Sequence, residues 1–206
     1  MKIRIFLCAG LLLVAGAGVT ASAHAAGTLA IVGDSLSDAY GLEREAGWAH
    51  LLSQRLGEAY EVINASVSGD TTAGGLRRLD GLLEVHDPDW LLIILGGNDG
   101  LRALNPSQLR SNLAGMIERA QKAGVEVALM QIRLPPNLGA PYLRRFEAVY
   151  PELAERYRVT LLPFFLENLF DQPGMMMDDG IHPTEAAQPL MVDQLWPALQ
   201  EWLEAN

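Results

Sequence analysis

Apolar residues come in short runs, and between the runs apolar positions recur every three or four residues. The runs at 29–32, 61–64, 90–95, 125–131 and 159–162 predict β-strands. Residues 48–56, 72–83, 107–123 and 142–157 carry helical periodicity between them. A last helix is expected over 184–203, with Pro189 and Pro197 as kinks or breaks. The run Leu91-Leu92-Ile93-Ile94-Leu95 has no polar alternation, which fits a central strand covered on both faces. Strand and helix alternating at this spacing predict an α/β domain on a parallel sheet. No internal repeat, low-complexity tract or linker interrupts the pattern.

Ligands of open parallel sheets bind beyond the carboxyl ends of the strands. Every polar cluster that looks functional falls there. Gly33-Asp34-Ser35-Leu36 follows the first strand, residues 65–70 the second, and Gly96-Gly97-Asn98-Asp99 the third. The segments 132–141 and 163–182 follow the fourth and fifth.

The segment before the first strand belongs to a different pattern. Lys2 and Arg4 precede an apolar stretch over 5–19, and Ala21-Ser22-Ala23 and Ala23-His24-Ala25 are small-x-small cleavage sites. Residues 1–26 therefore read as a secretory signal peptide, with the domain over 27–206 and a periplasmic or secreted location. Cys8, the single cysteine, lies inside this segment and has no small residue immediately before it, so it does not resemble an acylation site. The mature chain is left without disulfide or thiol chemistry. Without Lys2 and Arg4, 13 basic and 25 acidic residues remain, a net charge of −12. An acidic chain with no basic stripe is a poor partner for nucleic acid or anionic membranes, and no stable membrane anchor is expected.

The chemistry starts from Ser35, on a strand-to-helix turn where backbone N–H groups converge. A serine hydroxyl attacks only when a base takes its proton. His182, in Asp179-Gly180-Ile181-His182-Pro183, is the candidate base. Asp179 stands three residues before it, so one turn brings its carboxylate to Nδ1, where it fixes the tautomer and stabilises the imidazolium. One Asp-x-x-His by itself is more readily a local cap or turn; the pairing with Ser35 on one sheet edge reverses that and gives it a catalytic reading. The developing oxyanion needs donors. The candidates are the N–H of Ser35, the N–H of Gly69 and the side-chain amide of Asn98, which also suits a turn cap. His50 and His86 have no second ligand at metal spacing, and no metal or organic cofactor is expected. Gly-x-Ser-x-Gly, Walker and Gly-x-Gly-x-x-Gly motifs are all absent from the sequence.

Taken together, Gly33-Asp34-Ser35-Leu36-Ser37, Gly69, Asn98 and Asp179-Gly180-Ile181-His182-Pro183 resemble the blocks of the SGNH hydrolases, also called the GDSL lipase/esterase family. The four blocks stand in the family's order and span the mature chain almost end to end. The resemblance implies a three-layer α/β/α, flavodoxin-like domain with about five parallel strands. It also implies broad hydrolysis of esters and thioesters without a cofactor.

A triad does not choose the acyl group, so the pocket must. Leu134-Pro135-Pro136-Asn137-Leu138-Gly139 is apolar and stiffened by proline, and residues 164–177 run from Phe164-Phe165-Leu166 to Met175-Met176-Met177. Leu134, Pro135 and Met176 are expected to contact the acyl chain, the methionines adapting to chains of different length. Outside the cytoplasm, lysophospholipids and small acyl esters are more plausible substrates than acyl-CoA, and a monomer is expected. The alternatives are a carbohydrate deacetylase of the same superfamily, disfavoured by apolar loops and few aromatics, and a non-catalytic binding module, disfavoured by a complete residue set.

Overall fold

The computed structural model describes residues 27–205. The expected signal peptide at 1–26 lies outside them. Strands β1 (Gly27–Gly33), β2 (Tyr60–Asn64), β3 (Trp90–Ile94), β4 (Glu126–Met130) and β5 (Thr160–Leu162) form one parallel sheet in the order β2-β1-β3-β4-β5. The helices are α1 (Trp48–Leu56), α2 (Thr72–His86), α3 (Gly97–Leu101), α4 (Pro106–Lys122), α5 (Ala140–Glu147), α6 (Val149–Tyr157) and α7 (Gln188–Ala205). The chain moves to one side of β1 to make β2 and to the other to make β3. Right-handed crossovers then put α1 and α2 on opposite faces. Helix α1 packs with α7, while α2, α4 and α6 pack as a second group, giving the three layers.

The middle of the sheet is the centre of the core. All of β3 and residues 29–33 of β1 are buried, because each strand is covered by helices on both faces. The edge strands β2 and β5 are only partly covered. Among the described residues, no helix is long and apolar enough to cross a membrane.

Two elements depart from the periodicity. The single helix expected over 142–157 is divided into α5 and α6. Pro151 is the physical reason: it has no N–H for the Glu147 carbonyl, and its ring crowds that group. The freed carbonyl accepts from Gln131 Nε2 at 3.4 Å instead. The second departure is α3, a five-residue helix where a loop is expected. The last helix keeps its period and begins four residues later than expected, at Gln188, behind a short 3₁₀ turn over Glu185–Ala187. Neither Pro189 nor Pro197 ends it: Pro189 sits in the first turn, where no intrahelical N–H bond is required, and the helix continues through Pro197 without a bond to the Asp193 carbonyl.

The reversal of strand order between β1 and β3 opens a crevice at their carboxyl ends. Ser35 leaves β1 on one side of it and Asn98 follows β3 on the other.

Candidate active site

The loop that carries Asp179 and His182 is built locally and then tied to Ser35. Asp179 Oδ1 accepts the N–H groups of Ile181 and His182 at 2.9 and 3.0 Å, folding the segment back on the carboxylate. Gly180, at φ +67°, makes the left-handed step that this turn requires. Asp179 Oδ2 then lies 2.6 Å from His182 Nδ1, and His182 Nε2 lies 2.9 Å from Ser35 Oγ. With Nδ1 protonated and held by the carboxylate, Nε2 is free to accept the serine proton. The imidazole bond, backed by the two backbone donors, holds the Asp179 carboxyl at about 2, below the usual carboxylate value. Asp179 therefore stays ionised throughout the range in which the histidine works.

The expected oxyanion donors converge on the same cavity, which Ser35, Gly69, Asn98 and His182 all line. Gly69 has φ +79°, and a Cβ there would meet nothing within 4 Å; backbone conformation, not space, calls for glycine. Arg102 donates to the Gly69 carbonyl at 3.1 Å and steadies this exposed loop. Gly96, at φ +124°, is dictated by space as well. A Cβ would come within 2.0 Å of the Tyr150 hydroxyl, which is bonded to the Leu95 carbonyl at 3.0 Å.

Asn98 Nδ2 donates to Asp34 Oδ2 at 3.2 Å, and Asp34 Oδ1 accepts the Leu36 N–H at 3.1 Å. Asp34 is 3% exposed. Burial pushes its carboxyl up to about 6, opposed by the Leu36 and Asn98 bonds and by the nearby histidine. An amide nitrogen carries two hydrogens, so one Asn98 N–H spent on Asp34 leaves the other for the cavity. Buried Asp99 accepts the N–H and hydroxyl of Thr72 at 2.8 and 2.6 Å, pinning α3 to the start of α2.

The cavity holds about 230 Å³ and has mainly apolar walls. Leu134 and Pro135 line it, as do Phe164, Leu166 and Phe170 from the segment after β5. Leu134 rests over Gly100, where a Cβ would fall 2.3 Å from its side chain. The expectation for Met176 is corrected: it does not line the cavity. Its backbone forms an antiparallel bridge to Pro183, and the Met177 N–H donates to the His182 carbonyl at 2.8 Å. Met175 packs on the core. The methionine segment thus pairs through its backbone with the loop that carries His182, a pairing that side-chain chemistry does not announce.

Ser68 bonds Asp38 at 2.8 Å, and the Ser66 hydroxyl is buried; neither is bonded to His182. His50 bonds Gln54 at 3.0 Å, and among the described residues no three His, Cys, Asp or Glu side chains converge for a metal.

Two contributors escape sequence reasoning. The Tyr40 ring stacks on His182, with centroids 4.2 Å apart and planes 28° from parallel. Its only sequence signal is an aromatic residue five positions after the serine. The other is a buried bridge between the two loops. Trp48 Nε1 donates to the Leu36 carbonyl at 3.0 Å, and the Trp48 N–H donates to Gln188 Oε1 at 3.0 Å. Gln188 Nε2 reaches the Pro183 and Thr184 carbonyls at 3.4 and 3.2 Å. Nothing local marks Gln188, which lies 140 residues from Trp48.

Known proteins resemble this chain in sequence and fold. Residues 31–189 match the GDSL-like lipase/acylhydrolase family model. Esterase TesA of Pseudomonas aeruginosa is 50% identical over 182 residues, which is 87% of this chain and 90% of that protein. Thioesterase 1/protease 1/lysophospholipase L1 of Escherichia coli is 47% identical over 182 residues, 88% of each chain. A crystal structure of the psychrotrophic esterase EstA from Pseudoalteromonas sp., inhibited by monoethylphosphonate, superposes with a TM-score of 0.83 at 39% identity, covering 86% of this chain and 98% of that one. A match running from β1 past the loop that carries His182, joined to relatives about half identical along most of their length, makes this chain a member of the GDSL-like lipase/acylhydrolase family.

Proposed function

We propose that the chain hydrolyses aliphatic acyl esters and thioesters, with Ser35 as nucleophile, His182 as general base and acid, and Asp179 as the carboxylate that orients it. The observation that carries this reading is the bonded series Asp179–His182–Ser35 opening onto an apolar cavity. Ser35 Oγ adds to the acyl carbon as its proton passes to Nε2. The carbonyl oxygen takes up the negative charge, facing the Ser35 and Gly69 N–H groups and the Asn98 amide. When the tetrahedral species collapses, the imidazolium returns its proton to the leaving oxygen. A thiolate needs this less, because a thiol has a pKa of about 8.5. Water then repeats the sequence on the acyl-enzyme, freeing the acid and restoring Ser35.

The apolar walls favour fatty acyl groups over acetylated sugar, and lysophospholipids and small acyl esters are the proposed substrates, taken by a monomer. The basic start, apolar stretch and small-residue cleavage sites over 1–26 support export, so the mature chain is proposed to act outside the cytoplasm. A serine-reactive phosphonate followed by peptide mapping tests the nucleophile. Label at Ser35, lost in Ser35→Ala together with nearly all activity, is expected. Label at Ser66 or Ser68 would overturn the assignment. A panel of p-nitrophenyl esters, palmitoyl-CoA, lysophosphatidylcholine and acetylated xylan tests the substrate class; activity on acetylated xylan alone would overturn the acyl reading.

A further inference from the structure

The turn that presents Ser35 continues into backbone that no helix or strand explains. Ala39 has φ +55°, a conformation that residues with a side chain rarely adopt, and Gly41 follows at φ +73°. Held out of regular structure between them is Tyr40. The turn is not loose: Ser37 and Asp38 donate to the Asp34 carbonyl at 3.0 Å, and Leu42 donates to the Ala39 carbonyl at 2.9 Å. Space for the left-handed alanine is reserved at Gly47, where a Cβ would come 2.8 Å from that of Ala39. Non-glycine residues held in such conformations cluster where a site requires them. The result here is an aromatic ring that is 50% exposed and laid flat against the catalytic imidazole. The same ring lines the cavity beside Ser35 and His182, so it faces both the imidazole and the space where substrate would sit.

We propose that Tyr40 is a positioning residue for His182: its π face stabilises the imidazolium formed in the transition state and keeps water off the face of the ring that serves Ser35. The centroid separation of 4.2 Å is inside the roughly 6 Å range over which a cation is attracted to an aromatic face. The hydroxyl is not required by this role; the ring is. The inference rests on the proposed acyl-transfer reading and adds a residue to it.

The charged groups around the imidazole are Asp179 on its own loop, Asp34 at the end of β1, and Arg133 from the segment after β4, which is paired with Glu147 and Glu167 at 3.0 Å. None of them has Tyr40 as its hydrogen-bond or ion-pair partner. A cation–π contribution at a half-exposed site corresponds to about a two- to fivefold change in an equilibrium or a rate. Losing it makes His182 harder to protonate in the free enzyme and the imidazolium harder to form during catalysis. The plateau rate and the acid limb therefore both fall: kcat by about two- to fivefold, and the limb by about 0.4–0.7 pH unit.

The experiment measures kcat and KM for p-nitrophenyl acetate across pH 5–9 in wild type, Tyr40→Phe and Tyr40→Leu. The acetyl group needs little of the acyl cavity, so loss of wall contacts does not mask the effect. Tyr40→Phe is expected to keep both the plateau and the limb, and Tyr40→Leu to lower both. Tyr40→Leu with an unshifted limb, whatever its kcat, would overturn the proposal by reducing Tyr40 to packing. So would a change in KM alone, or a Tyr40→Phe as impaired as Tyr40→Leu. Phosphonate labelling at Ser35 separates the two readings: if Ser35 is not labelled, the acyl-transfer reading itself has failed, whereas labelling with an unaltered Tyr40→Leu fails only this inference.

Discussion

Replacing Gln188 by leucine breaks the buried bridge that runs from the turn carrying Ser35 through Trp48 to the loop carrying His182. Gln188 is 2% exposed and packs against the start of α1, which has no side-chain cap of its own, because Gly47 precedes Trp48. The Trp48 N–H is one of the donors that a helix leaves unpaired at its first turn, and Gln188 Oε1 satisfies it from the far end of the chain. Leucine is of similar size but leaves that buried N–H stranded, at a cost of about 1–3 kcal/mol. The Pro183 carbonyl also loses its Gln188 partner, whereas the Thr184 carbonyl keeps the Ala187 N–H at 3.1 Å. Together these losses predict about 2–4 kcal/mol of destabilisation, counting about 1 kcal/mol for the second bond. For a domain of this length that is a fall in Tm of about 4–16 °C. Activity should drop as well, because Pro183 adjoins His182 and a shift of about 1 Å in a reacting group costs as much as 10²-fold. Differential scanning calorimetry and kcat on a soluble ester, measured well below the lowered Tm, read the two effects. A variant with unchanged Tm and unchanged kcat would refute the bridge.

Asn98→Ala should lower kcat by about 10²–10³ with little change in KM, since its amide bonds most strongly to the charged tetrahedral oxygen; an intact kcat would return Asn98 to the role of a turn residue. Asp34 predicts a pH dependence of stability. Its carboxyl is raised in the fold from 3.8 to about 6, so its stabilising contribution is complete below about 3.8 and is lost as pH rises through about 6. The difference amounts to about 3 kcal/mol. Urea unfolding between pH 4 and 7 should show this component in wild type and lack it in Asp34→Asn; parallel profiles would refute the reasoning. Leu134→Ser should flatten the rise of kcat/KM with acyl length, which for buried methylenes is at most about fourfold each, and spare acetyl esters. Met176→Ser should leave the slope alone, since that side chain lies outside the cavity, and chain-length profiles in the two variants check both statements.

The sequence by itself determined the features that depend on neighbours along the chain. The apolar runs became strands because β1 and β3 are buried on both faces, and burial of that kind is written as an unbroken hydrophobic stretch. Strand–helix alternation with right-handed crossovers left few ways to arrange the sheet. Asp179 and His182 were legible as a pair because the turn joining them closes within four residues, using backbone bonds that those residues carry themselves. Ser35, Gly69 and Asn98 were legible as candidates because each follows a strand, and strand ends of a parallel sheet share an edge.

Only the tertiary structure decided what meets across that edge. The 2.9 Å contact of His182 with Ser35 joins residues 147 apart, and the segments that carry them are linked through the interior by Trp48 and Gln188. Tyr40 lies on the imidazole because Ala39 is held left-handed against the space at Gly47, a constraint invisible in a string of letters. Met176 reads as an acyl contact by its chemistry, yet its backbone was needed to pair with Pro183. Helix α3 is too short to show periodicity and forms because Asp99 is anchored to Thr72 and Gly96 fits beneath Tyr150. Local periodicity records which face of an element is buried. It carries no record of which distant backbone group will be left without a partner, and those unpaired groups are what Gln188 and Asp99 satisfy.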